Sequence, residues 1–269
     1  MFGSDIREQQ VAVFEDTMEQ LRSNKTLAAL TEQAKSGTRL YMEGFRSKNR
    51  PEYKNTSISV IESRSFQAAK ALTSELDRVA VLNFASGTNP GGGVRKGASA
   101  QEECLCRISN LYPCLTIRRL WEPFYQFHRD LPHKNYSDRI IYSKDITVFK
   151  TDTEWPSLMD DWYSVDVITS PAPNISGVVA PDWEFIKELF TGRIRSILET
   201  ALDNGIEALV LGAFGCGAFR NPPLLVSQVF RNVLEADGYK EHFAKIVFAI
   251  IGTSNRSNEN LNVFKRTFS

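Results

Sequence analysis

The chain has 269 residues, 42% of them apolar and 24% charged, values of a folded globular protein and too apolar for a disordered one. Thirty-two basic residues balance 32 acidic ones, which disfavours a strongly basic nucleic-acid-binding domain, so no DNA or RNA partner is expected. No apolar run approaches the ~18 residues needed to span a membrane. No membrane association and no secretory leader are expected, and four cysteines then read as reduced thiols of a cytoplasmic protein.

Residues 1–50 are polar and patterned for helix. Asp5 and Glu8 have capping-box spacing, and Ile6, Val13, Phe14, Met18 and Leu21 recur at helical intervals. A second helix is predicted over 26–35, ending near Gly37. Pro51 closes the segment, which reads as an N-terminal helical extension packed on a main domain of 51–269. From Ser57 onward, short apolar runs alternate with helical stretches. Strands are predicted over Ser57–Ile61, Val79–Phe84, 140–149 (two strands or a bent one), 165–170, Ala208–Leu211 and 246–251. Helices are predicted over 65–76, 181–204 and 224–236, with a last one at the C-terminus. This alternation predicts an α/β fold, a mostly parallel or mixed sheet with helices on both faces. No repeat, low-complexity segment or Pro/Gly/Ser-rich linker interrupts it.

In open α/β sheets ligands bind outside the carboxyl ends of the strands. Two glycine-rich stretches fall there. One follows Val79–Phe84 and includes Asn89-Pro90-Gly91-Gly92-Gly93-Val94-Arg95-Lys96-Gly97. The other follows Ala208–Leu211 and includes Gly212-Ala213-Phe214-Gly215-Cys216-Gly217-Ala218-Phe219-Arg220-Asn221. Glycine lets backbone approach a ligand closely, and successive exposed N–H groups make anion-binding concavities. Two such loops suggest a clamp around a diphosphate; the plainer alternative is a pair of tight turns. Neither loop matches a P-loop, and the second has the order G-x-x-G-x-G rather than the dinucleotide order G-x-G-x-x-G. Redox use of NAD is thereby weakened, whereas an ADP-containing ligand is not. Gln101-Glu102-Glu103 then opens a helix. Paired carboxylates there complement the helix dipole, or, as neighbours about 100° apart on a helix of 3.6 residues per turn, serve a ligand from two directions.

Asn83-Phe84-Ala85-Ser86, Asn89-Pro90-Gly91-Gly92-Gly93 and Gln101-Glu102-Glu103 together resemble the signature of microbial-type poly(ADP-ribose) glycohydrolases, macrodomain-fold enzymes with a GGG…QEE motif. Ser170-Pro171-Ala172-Pro173-Asn174 and the stretch from Gly215 to Asn221 also match, so the resemblance runs from about Thr56 to Ile251. Arg220 departs from it, since family members often carry glycine there.

The resemblance implies a three-layer α/β/α macrodomain-like sheet and hydrolysis of ADP-ribose linkages, with poly(ADP-ribose) as substrate and ADP-ribose released mainly from chain ends. It implies Glu103 as the general acid and Glu102 as the holder of the flanking ribose hydroxyls. Gly91, Gly92 and Gly93 would pass close to the distal ribose and phosphate, with Asn89 and Gln101 orienting their loop. Gly215, Cys216, Gly217, Ala218 and Phe219 would supply N–H groups to the diphosphate, Phe219 packing on the distal ribose, with Asn221 in the same segment. No metal or cofactor is implied. Hydrolysis of mono-ADP-ribosylated proteins or small conjugates shares these features, and a non-catalytic ADP-ribose reader would use the same loops without needing Gln101-Glu102-Glu103.

Glu103 must carry a proton when it acts. A helix N-terminus works against that, whereas a bound diphosphate and Glu102 favour it. His128, His133 and His242 lack metal-ligand spacing and read as structural or surface residues, and Cys104, Cys106, Cys114 and Cys216 lack C-x-x-C spacing. Trp121, Phe124, Tyr125 and Phe127 read as core rather than as an adenine platform; Trp155, Trp162 and Trp183 are ambiguous in the same way. Glu62, past the first main-domain strand, is positioned to meet an adenine amino group.

Overall fold

Seven strands form one sheet, β1 (Arg39–Tyr41), β2 (Ser57–Ile61), β3 (Val79–Phe84), β4 (Ile140–Lys150), β5 (Leu158–Ser170), β6 (Ala208–Leu211) and β7 (Lys245–Ala249), in the order β1-β4-β5-β3-β6-β7-β2. The computed structural model describes residues 2–252 and 254–269, with residues 2–5 as backbone only. Strands β2, β7, β6, β3 and β5 are mutually parallel, whereas β4 and β1 are antiparallel additions at one side. The sheet is therefore mixed.

Helices cover both faces. Those before β4 are α1 (Phe2–Ser23), α2 (Lys25–Gly37), α3 (Ser65–Leu72), α4 (Gln101–Ile108), α5 (Leu111–Leu115), α6 (Arg118–Leu120) and α7 (Phe127–Asp130). Those after β5 are α8 (Trp183–Asp203), α9 (Pro223–Glu235) and α10 (Asn255–Thr267). Side chains of successive strand residues point to opposite faces. Accordingly Ala80 and Leu82 of β3 join the core under α8, α9 and α10, built on Phe190, Ile197, Phe230 and Phe264. Val79 and Val81 join the opposite core with Phe14, Phe66, Leu105 and Phe124. β6 and β7 divide in the same way, Leu209 and Phe248 to one side, Val210 and Val247 to the other. The result is the expected three-layer α/β/α arrangement, and each fully buried Leu, Ile or Phe contributes roughly 1.5–3 kcal/mol to it.

Several boundaries differ from the sequence pattern for local reasons. Helix α1 includes Phe2, so Asp5 lies inside its first turn and the Asp5/Glu8 pair does not mark its start. Ile6 is exposed, while Phe14 and Leu21 are buried. Residues 39–41 add an edge strand, too short to show any alternation. Helix α3 stops at Leu72, where Thr73 Oγ1 turns back to the Lys70 carbonyl. β4 is one bent strand, its register against β5 shifting between Ser143 and Ile146 around Asp145 at φ 53°. β5 begins at Leu158 because a polar, half-exposed hairpin extends the core strand beyond the sheet.

Helix α1 lies behind α4. Thr17 donates to the Arg107 carbonyl, Phe14 meets Tyr112 edge-on at 5.0 Å, and buried Lys150 ties β4 to α1 through Thr17 Oγ1 at 2.7 Å and Asp16 at 2.6 Å. No helix among the described residues is long and apolar enough to cross a membrane.

Candidate active site

The parallel strands β2, β7, β6, β3 and β5 end on one edge, which brings both glycine-rich loops together. After β3 the chain runs through 85–100 and enters α4, whose N-cap Ala100 offers no capping side chain. The Gln101 side chain fastens the helix start to the strand instead. Its Oε1 accepts from Phe84 N at 2.9 Å, and its Nε2 donates to the Leu82 carbonyl at 2.8 Å and to Ser65 Oγ at 3.0 Å. Gln101 thus fixes where the next two residues point.

Glu102 and Glu103 are both buried, 3% and 7% exposed, which is unusual for carboxylates without a basic partner. Glu102 Oε2 accepts from Ser86 N at 2.7 Å, and its Oε1 faces Asn83 Nδ2 at 3.4 Å. Glu103 Oε1 accepts from Gly93 N at 2.8 Å, while its enclosed Oε2 has no hydrogen-bond partner in the protein. The pair brackets Gly92. A Cβ there would collide with Glu103 Oε1 and lie 3.1 Å from Glu102 Oε2, and the backbone has φ +58°, so only glycine fits.

Burial, and secondly the charge of Glu103, push the Glu102 carboxyl up to about 8, against the opposing Ser86 N–H. Burial thus favours the protonated form of Glu102. Desolvation, invisible in the sequence, favours a proton in the pair before any ligand binds.

Asn89 is exposed at the loop tip; its carbonyl accepts from Gly92 N at 2.9 Å, closing the turn that carries the triple glycine. Gly91 packs against Tyr112 of α5 and Cys106 of α4, so the loop rests on both helices.

The second loop divides into exposed and supporting parts. Gly217 and Ala218 are exposed, and among the described residues the N–H groups of Gly217, Ala218 and Phe219 meet no backbone acceptor. A Cβ on Gly217 would meet nothing within 4 Å. Cys216, by contrast, spends its N–H on the Ala213 carbonyl at 3.1 Å and its thiol is buried, where desolvation pushes its pKa far up. Asn221 is wholly buried and props the loop, its Nδ2 donating to the Pro173 and Gly215 carbonyls at 2.7 and 2.9 Å. The conformation thus separates a donor surface from its supports. Arg220 has φ +68°, a left-handed backbone that explains why glycine suits this position.

Three residues that hold Glu102 or the adjoining loop carry no mark in the sequence. Asn83, quoted only as part of a motif, contacts Glu102. Tyr136, at φ +58°, lays its ring on Gly87 so closely that a Cβ there would sit 2.7 Å from Cδ1, and its centroid is 6.2 Å from that of Phe219. The Tyr136 segment is pinned from below by buried Arg193 on Asp138 at 2.8 Å and by His128 on Ser137 at 2.8 Å. Burial, then Arg193, lowers His128 to about 4, so it is a neutral structural residue. Arg129 of α7 is the third, donating to the Thr88 carbonyl and Asn89 Oδ1, both at 2.9 Å. The usable signal was Gly87, whose backbone needs no glycine but whose surroundings have no room for a side chain.

Phe124 and Tyr125 are core, and Trp121 partly buried, on a segment that includes a π turn over Trp121–Gln126. Trp155 and Trp183 are exposed, and Trp162 donates to the Met159 carbonyl at 2.7 Å. Glu62 and Asn258 both lie against Gly252, on the same sheet edge as the two loops.

Comparison with known proteins agrees with this geometry. The family model of the microbial-type PARG catalytic domain matches residues 8–151, beginning inside α1 and well before Thr56. The crystal structure of poly(ADP-ribose) glycohydrolase from Thermomonospora curvata superposes with TM-score 0.87 and 35% identity over 97% of this chain and 100% of that one. The same enzyme bound to the inhibitor ADP-HPD gives 0.85 and 36% over 96% and 99%. Poly(ADP-ribose) glycohydrolase from Deinococcus radiodurans in complex with ADP-ribose gives 0.79 and 33% over 88% and 96%. A search of curated protein sequences finds no match. By the family model and by structures that match nearly its whole length, the chain belongs to the microbial-type poly(ADP-ribose) glycohydrolase family.

Proposed function

We infer that this protein is a poly(ADP-ribose) glycohydrolase that releases ADP-ribose from chain ends. The observation that carries the reading is the buried Glu102/Glu103 pair around Gly92, with Glu103 Oε2 enclosed and unpartnered beside a loop built for close approach. A reader of ADP-ribose would have no use for a desolvated carboxyl pair, which costs stability unless chemistry needs it.

In this reading the diphosphate lies on the N–H groups of Gly217, Ala218 and Phe219, with Cys216, Gly215 and Asn221 holding that loop in shape. The distal ribose passes over Gly91, Gly92 and Gly93 between Phe219 and the acid loop. Glu103 donates its proton through Oε2 to the departing ribose oxygen as the C1″–O bond breaks. Water adds to C1″ of the oxocarbenium-like centre and returns a proton to Glu103, so the products are ADP-ribose and a polymer one unit shorter. Glu102, fixed by Ser86 and Asn83, orients the ribose hydroxyls, and the bound diphosphate together with Glu102 favours the proton that Glu103 carries when it acts. Nothing in these steps calls for a metal or redox cofactor.

The test is product analysis of purified poly(ADP-ribose) treated with the protein. Free ADP-ribose accumulating from the first turnovers, without short oligomers, is the expected result. Early oligomers would replace chain-end cleavage by internal cleavage, and an intact polymer would remove the assignment.

A further inference from the structure

Although the chain carries no net charge, the loop that presents the carboxyl pair is flanked by three cations, Arg95, Lys96 and Arg129. All three are exposed, and among the described residues none is paired with a carboxylate. Arg129 is the most constrained. Its guanidinium sits 4.6 Å from the Trp121 ring centroid, and two of its nitrogens donate to the Thr88 carbonyl and Asn89 Oδ1 at the tip of the loop. Its neighbour Asp130 is engaged by Gln126 at 2.8 Å and does not neutralise it. Arg95 is held on the other side by Tyr112, its Nε donating to the hydroxyl at 2.7 Å.

A solvated surface arginine gains little from such anchoring, because ordering a long side chain costs entropy that an exposed contact barely offsets. A planar guanidinium held in one place, still exposed and without a counter-charge, is suited to phosphate recognition. Its position decides which phosphate. The β6 loop lies on one flank of β3 and would take the diphosphate of the unit being released. Arg129 is bonded instead to the Thr88–Asn89 tip of the loop whose Ser86 and Gly93 N–H groups hold the two carboxyls, so a polymer leaving across that loop would meet it.

We propose that Arg129 forms a second phosphate subsite on the leaving-group side of the scissile bond, binding the diphosphate of the nucleotide unit that remains with the polymer. Arg95 and Lys96 add local positive potential that draws the polyanion to the acid loop. The proposal rests on the glycohydrolase reading and deepens it. It makes a charged polymer, rather than any ADP-ribose glycoside, the substrate the site prefers.

The test compares two substrates of the intact protein, purified poly(ADP-ribose) and an ADP-ribose glycoside of a neutral phenol. Arg129→Gln also disturbs the loop tip, and that loss is common to both substrates, so the ratio of their kcat/KM values is the readout. The expected result is a ratio shifted against the polymer by about tenfold, as for loss of one charge-assisted contact, and restored only in part by Arg129→Lys, which keeps the charge without the planar fork. The wild-type polymer KM should rise with salt more steeply than that of the variant. A ratio unchanged in Arg129→Gln, with wild-type activity on both substrates, overturns the subsite and leaves the glycohydrolase reading standing. A wild type that cleaves neither substrate overturns the glycohydrolase reading itself, and the subsite with it.

Discussion

The two glycine-rich loops occupy the same edge of the sheet and use glycine for opposite purposes. In the loop after β3, Gly92 makes room inward for two buried carboxyls of the protein's own helix. In the loop after β6, Gly217 faces outward with nothing near it, leaving backbone N–H groups for something else. The first loop is tightly bonded to its surroundings through Ser86, Gly93 and Asn89, whereas the second is propped from beneath by Asn221 and exposed on top. One holds two carboxyls in a dry environment; the other turns unpaired backbone N–H groups outward. Similar composition therefore does not mean similar work, and damage to the first should appear in turnover, to the second in affinity.

The largest effect expected from this contrast is that of Gly92→Ala. The added Cβ meets both carboxyls at a positive φ, so displacement of the pair should lower kcat at least about 100-fold while ADP-ribose affinity, read by calorimetry, changes far less. Equal loss of both would mean the loops do not divide their labour. Next in size is a pH effect on stability confined to the first loop. Glu102 stands at about 8 in the folded chain against an ordinary 4.5, so the folded state binds the extra proton between those values. The contribution is complete below pH 4.5, declines as pH rises, and is gone above about 8, with a limiting slope of about 1.4 kcal/mol per pH unit. The groups closest to it are Glu103, Asn83 and Cys106. Thermal melts across that range should show a slope in the wild type that Glu102→Gln flattens; parallel slopes would place the proton elsewhere. The smallest effect is Gly217→Val, expected to weaken ADP-ribose binding about tenfold with the melting temperature nearly unchanged. Unaltered affinity would remove this loop's outward face from the ligand.

Much of the fold is legible because β3, β6 and β7 are buried on both faces and read as continuous apolar runs, each ending in a loop of marked composition. Brief or polar elements are not legible in this way. Arg39–Tyr41 is too short to alternate, and the start of β5 carries Asp160 and Asp161 outside the core. The carboxyl pair and its glycines are local in sequence, and so is their motif. Their environment is not. The Ser86–Glu102 bond, the desolvation that raises Glu102, and the approach of Tyr136 and Arg129 arise from packing between segments 16 to 49 positions apart. Arg129 and Tyr136 flank a turn-rich stretch with no period to mark them. Cys216 and Asn221 lay in the right segment, but their support role depends on backbone conformation, which composition does not encode.

The most direct test of the account is Glu103→Gln, with ADP-ribose release from poly(ADP-ribose) and calorimetric binding of ADP-ribose measured on the same preparation. Glutamine preserves the size of the side chain and removes its proton chemistry. Release should fall by a factor on the order of 100 to 10,000, the range for loss of a general acid, while binding stays within about threefold of wild type. A variant that binds and still releases ADP-ribose at the wild-type rate would contradict the account, because the proton for the leaving oxygen would then come from another group.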